Sequence, residues 1–140
     1  MTIAQIQEEL ITEFALFDDW TEKYEHLISL GKNLPLIDAA NKTDDKLIKG
    51  CQSKVWLHTQ LKGSKVIFTA DSDAIITKGI VAILIRVFSG QTPRAIAGAS
   101  TAFIDKIGLR EHLSPTRANG LAAMVKQMKL YAVAYRAQLS

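Results

Sequence analysis

The sequence predicts an α+β fold, a small antiparallel sheet with helices packed against it. Three observations lead there. Val55, Leu57, Thr59 and Leu61 alternate with Trp56, His58 and Gln60, the two-residue period of a half-buried strand. Val66–Thr69 follows across a Lys62-Gly63-Ser64-Lys65 turn and completes a hairpin. Most of the remaining chain has helical spacing, and one stretch, Ala74 to Phe88, is apolar almost all round, which places it at the centre.

The elements follow in order. Residues 3–17 form an amphipathic helix on Ile3, Ile6, Leu10, Phe14 and Phe17. Asp18 and Asp19 break the chain and cap a second helix, Trp20 to Leu30, which Gly31 is placed to end. Lys32 to Asp45 contains Pro35 and a polar run, an irregular connection. After the hairpin, Asp71-Ser72-Asp73 offers N-cap chemistry to the central helix, and Ser89-Gly90 stops it. Thr92-Pro93 opens a short helical turn, and residues 100–112 read as short helical pieces broken at Gly108. Ser114-Pro115 repeats the cap-then-proline arrangement and starts a last helix to about Ala137, with Leu121, Met124, Val125, Met128, Tyr131 and Tyr135 as its apolar positions.

At 140 residues and 48% hydrophobic content, residues 1–140 predict one domain with one core. No basic stretch followed by an apolar run marks a signal peptide, and the most apolar segment, Ile80 to Phe88, is interrupted by Arg86. A single cysteine excludes an internal disulfide and suits a reducing compartment, so a cytoplasmic location is expected. Charge is polarised: residues 1–45 carry ten acidic and three basic side chains, residues 46–140 fourteen basic and four acidic. The basic residues are scattered and carry no nucleic-acid signature, so a surface for docking a protein is the better reading, with solvated charge as the plain one.

That cysteine, Cys51, lies between Gly50 and the polar pair Gln52-Ser53, at the mouth of the first strand. Lys49 and Lys54 flank it and favour the thiolate, the nucleophilic form, while Gly50 leaves room for a large electrophile. The plain alternative is an inert, buried small hydrophobe. The residues alone leave both open.

The run IKGCQSKVW resembles the signature of the SufE family, sulfur acceptors for cysteine desulfurases. DWTEKYEHLISLGKNLP, DSDAIITKGIVAILI and HLSPTRANGLAAM are similar to the family's other segments, in the same order and over most of the chain. The resemblance implies the SufE fold, shared with U-type (IscU-like) scaffolds, and a third strand before Cys51. It implies that Cys51 accepts sulfur as a persulfide from a desulfurase of the SufS type or a paralogue, stimulates that enzyme, and passes sulfur to a scaffold complex of the SufBCD type. Pyridoxal phosphate belongs to the desulfurase, and this chain is expected to hold no cofactor and not to be an enzyme by itself. Gly50, Gln52, Ser53, Asp73 and Arg117 are expected to support Cys51, and a homodimer is allowed.

Other chemistries lack their residues. One cysteine with His26, His58 and His112 far apart gives no metal or cluster ligand set, and no GxGxxG or P-loop is present. A cysteine hydrolase would need a histidine base, and His58 has the wrong parity for the inner face; His26 and His112 stay open. A non-catalytic interaction domain is the third reading. Asp71 and Asp73 are expected as helix caps, with restraint of the Cys51 loop as the functional alternative. Arg117 falls four residues before Leu121, which predicts a place on the buried stripe of the last helix. There it would pair with a carboxylate of the acidic N-terminal part, or face the Cys51 loop or the docking desulfurase, which the resemblance in SPTRANG supports.

Overall fold

The computed structural model describes residues 1–35 and 37–139. Helix α1 spans Ile3–Ala15, where Thr2 and Gln5 form a reciprocal capping box. It stops two residues short of the predicted end. Helix α2 spans Trp20–Lys32, with the Asp19 carboxylate accepting from the Glu22 amide. Two 3-10 turns, Ala39–Asn41 and Asp44–Lys46, punctuate the irregular connection.

Strands β1 (Val55–Lys62) and β2 (Lys65–Ser72) pair antiparallel across the two-residue Gly63-Ser64 turn, with Lys62 opposite Lys65 and Val55 opposite Ser72. Val55, Leu57, Phe68 and Ala70 share the buried face. Helices α3 (Ile75–Phe88), α4 (Pro93–Gly98), α5 (Ala102–Ile107), α6 (Leu109–His112) and α7 (Pro115–Leu139) complete the chain. Thr92 caps α4, Gly108 adopts φ 92° between α5 and α6, and the Ser114 hydroxyl accepts from the Arg117 amide at the start of α7.

Helix α3 is the centre, as its composition predicts. Ile80, Ile83, Leu84, Val87 and Phe88 are all buried, and α3 packs on α2, β2, α1 and α7. Gly31 does not end α2. It lies inside the helix, buried, where an added Cβ would come 2.9 Å from the Gly79 amide nitrogen of α3. A Cβ on Gly79 would come 2.2 Å from the Leu27 carbonyl oxygen. The two glycines therefore allow a near backbone-to-backbone crossing, a use of glycine that resembles a stop signal in the sequence.

Two further expectations change. The family's third strand is reduced to a bridge between Leu47 and Trp56, with the Ile48 amide donating to the Val55 carbonyl at 2.9 Å; among the described residues the sheet has two strands. Asp71 and Asp73 are not caps. β2 runs on through Ser72, and the N-cap of α3 is Ala74, without a side-chain cap bond. Strand pairing fixes the backbone there and leaves both carboxylates to other partners. Asp71 meets Lys42 at 3.0 Å and Lys78 at 3.3 Å. Asp73 turns to the Cys51 loop, where its carboxylate accepts from the Lys54 amide.

Among the described residues, no helix is long and apolar enough to cross a membrane.

The Cys51 cavity as candidate functional site

The Cys51 loop is short because its two ends are fastened to neighbouring structure. On one side Ile48 bonds to Val55. On the other, Lys54 is held three ways: its amide donates to the Asp73 carboxylate at 3.0 Å, and its carbonyl accepts from the Ser72 hydroxyl at 2.9 Å and from the Asp73 amide at 3.2 Å. Between these anchors Gly50 takes φ 90°, a left-handed conformation that suits glycine, and lies against Ala123 of α7. Of the two readings of Asp73, loop restraint is the one its hydrogen bonds match.

The turn at Gly50 aims Cys51 inward. Its Sγ contacts the Gly120 carbonyl at 3.6 Å, and an added Cβ on Gly120 would come 3.5 Å from that sulfur. Glycine inside a helix costs roughly 1 kcal/mol relative to alanine, and here it leaves space beside a thiol. Cys51 is half-buried. Burial pushes its thiol above the ordinary value, the reverse of what Lys49 and Lys54 were expected to do. Both lysines are exposed, where water screens their charge.

The sulfur lines a cavity of about 320 Å³. Gln52 and Ser53 line it from the loop, Thr77 and Ile80 from α3, and Ser114, Thr116, Arg117, Gly120 and Met124 from the α7 end. The structure thus brings Cys51, Gln52, Ser53 and Arg117 together, with Gly50 setting the turn and Asp73 fastening the loop. Thr77, Thr116 and Gly120 were not singled out in the sequence, and Ser114 was read there only as a helix cap. Gly120 was the accessible signal, since a helix-interior glycine marks a close approach.

Arg117 corrects its prediction. It is exposed, and the buried stripe of α7 begins only at Gly120 and Leu121. The spacing to Leu121 is right, but the first turn of α7 projects past the edge of the core to the mouth of the cavity. Among the described residues no carboxylate forms an ion pair with its guanidinium.

The histidines lie elsewhere. His26 Nε2 is 2.6 Å from Glu13, His112 stacks on Trp20 with ring centres 4.0 Å apart, and His58 sits on the outer face of β1. None lines the cavity, so a cysteine hydrolase has no base there among the described residues. The described residues also contain no group of three or more His, Cys, Asp or Glu side chains placed to hold a metal.

A half-buried lone thiol, in a polar cavity between a hairpin and helices, defines a thiol-bearing α+β protein. A solution structure of a hypothetical protein from Thermus thermophilus shares the fold, with a TM-score of 0.78 and 19% identity over 96% of this chain and 97% of that one. Residues 8–132 match the family model described as "SufE: Fe-S metabolism associated domain". SufE-like proteins of Rhizobium meliloti (strain 1021) and Rhizobium etli (strain ATCC 51251) are 40% and 39% identical over 127 residues. Those alignments cover 87% of this chain, with 91% of the first relative and 86% of the second. The chain belongs to the SufE family, whose domain is associated with iron–sulfur metabolism.

Proposed function

We propose that Cys51 is a sulfur acceptor. A cysteine desulfurase, carrying its own pyridoxal phosphate, presents a persulfide on its catalytic cysteine. The Cys51 thiolate attacks the terminal sulfur, the desulfurase thiolate leaves, and Cys51 carries the persulfide onward to an iron–sulfur scaffold complex. The chain needs no cofactor of its own for this exchange. It raises its partner's turnover by removing product, in the cytoplasm.

The observation that carries this reading is the setting of Cys51 within a SufE-family chain. The sulfur is the only thiol, and it lines a cavity together with the exposed Arg117 and, among the described residues, no histidine. In this inward position burial disfavours the thiolate. Attack therefore requires the loop to swing out or the docking partner to supply compensating charge. Asp73 and Ser72, which hold Lys54, set how readily the loop leaves. Arg117, exposed and without a carboxylate partner among the described residues, is the cation offered to the partner.

Stimulation kinetics test the reading. Desulfurase turnover with cysteine should rise on adding the wild-type chain and stay at its basal level with Cys51→Ser. Equal stimulation by the serine variant would leave a non-catalytic interaction domain with an inert thiol as the surviving account.

A further inference from the structure

The polarised charge of the sequence has a structural counterpart that sulfur transfer at Cys51 does not use. Its basic half lies on α7. Ala122, Lys126, Leu130 and Val133, three or four residues apart, form one exposed stripe, with Leu130 52% and Val133 47% accessible to solvent. The stripe runs along a groove that Thr101 and Arg110 also line, and the lining holds three cations and no carboxylate. Arg110 reaches Asp105 at 3.7 Å, and the Lys129 ammonium donates to the Ala99 carbonyl at 2.5 Å. Lys126 enters no ion pair among the described residues.

The acidic half lies on α1. Glu8, Thr12 and Leu16 form an exposed stripe, and Leu16, at the C-cap, is 77% accessible. The groove they line also holds Glu9 and Glu13 and no cation. Arg86 engages Glu9 and Glu13, whereas Glu8 forms no ion pair among the described residues. Each stripe therefore carries an unpaired charge toward one end and a bare apolar side chain at the other. Glu8 to Leu16 spans eight residues and Lys126 to Val133 seven, about 12 and 10 Å along their helices.

We propose that the α7 groove docks α1 of a second copy of this chain, with the two helices parallel. In that register Glu8 of the second copy meets Lys126, Thr12 passes Leu130, and Leu16 covers Val133. Run antiparallel, the carboxylate would fall on Val133 and the leucine on Lys126, which leaves both charges desolvated without a partner. Apolar contact gives the interface its centre, and the opposite charges fix its direction. The two faces differ, so the contact is heterologous and every copy offers both halves of it. The interface uses none of the residues that line the Cys51 cavity and stands or falls independently of the sulfur carrier.

Sedimentation equilibrium of the full chain, from dilute solution to about 1 mM, tests this. The average mass should rise with concentration, and rise less as salt is added, since salt screens exposed charges. Glu8→Lys with Leu16→Asp spoils the α1 face, and Lys126→Glu with Leu130→Asp spoils the α7 face. Each pair should weaken association about tenfold or more and keep the wild-type circular dichroism, because all four side chains are exposed. Mixed together, the two variants should associate again, since the first retains an intact α7 groove and the second an intact α1. If either double variant loses its fold, the single reversals Glu8→Lys and Lys126→Glu take their places in the same mixing experiment. A chain that stays monomeric to about 1 mM overturns the inference and leaves the groove to a different protein. Association of either variant alone at wild-type strength, or a mixture that does not recover, also overturns it.

Discussion

The two ends of α3 treat arginine in opposite ways. Near the C-terminal end, Arg86 reaches Glu9 at 2.6 Å and Glu13 at 3.1 Å, and Glu13 also meets His26 at 2.6 Å. Beside the N-terminal end, Arg117 of α7 stands at the cavity mouth with no carboxylate partner among the described residues, and the Thr77 hydroxyl faces the same cavity. One arginine joins α1 to α3; the other makes no such link among the described residues. Closed networks of this kind hold a fold, while an exposed cation beside a reactive atom is free to engage a partner.

Substitutions along α3 can break this comparison. The largest effect is expected between its ends, at Gly79→Ala, where the new Cβ would meet the Leu27 carbonyl and neither backbone can yield cheaply. A loss of about 3 kcal/mol in denaturant unfolding is expected. A near-neutral result would mean that α2 and α3 separate easily.

Arg86→Ala comes next, at about 1–2 kcal/mol, because the pairs are partly exposed and water screens them. It should also flatten the acid side of the stability curve. Partial burial works to raise the Glu13 carboxyl, but the hydrogen bonds from His26 and Arg86 outweigh it and hold the group below its usual range. With the folded value below the unfolded one, the unfolded chain binds the extra proton. This contribution is complete above the ordinary carboxylate range and is lost as pH falls through the depressed Glu13 value. Unfolding curves across that window should fall less steeply in Arg86→Ala than in wild type.

Asp73→Ala should cost only about 0.5–1 kcal/mol, since its carboxylate is exposed and its bond to Lys54 is single. Its distinctive effect is on Cys51: loosening Lys54 should speed alkylation of the folded protein. A stability loss with an unchanged alkylation rate would return Asp73 to a purely structural role.

Arg117→Ala should change stability least, by less than about 0.5 kcal/mol, because no carboxylate is left unpaired. Desulfurase stimulation should nevertheless fall. A variant that melts much earlier yet stimulates normally at low temperature would erase the contrast with Arg86.

Much of this arrangement was legible in the sequence, because it depends on local periodicity. The alternation from Val55 to Leu61 gives the hairpin, the apolar run to Phe88 gives the central helix, and the prolines after Thr92 and Ser114 give two helix starts. Cys51 stood out as the only thiol. What the sequence did not reveal depends on contacts across the chain. Gly31 reads as a stop until Gly79 is seen against it. Asp71 and Asp73 read as caps until β2 is found to continue through Ser72. Arg117 has the spacing of a buried position, yet helical phase says nothing about where the core ends along the axis. The Cys51 thiol is raised, not lowered, because burial against Gly120 depends on a helix sixty-nine residues away.

The central claim is that Cys51 carries sulfur, and intact-protein mass spectrometry after incubation with a cysteine desulfurase and cysteine tests it most directly. The account predicts that the wild-type chain gains sulfur mass removable by a thiol reductant, that peptide mapping places it on Cys51, and that Cys51→Ser gains none. A wild-type chain that stays at its original mass while the desulfurase turns over, or sulfur mass that persists in Cys51→Ser, would contradict it.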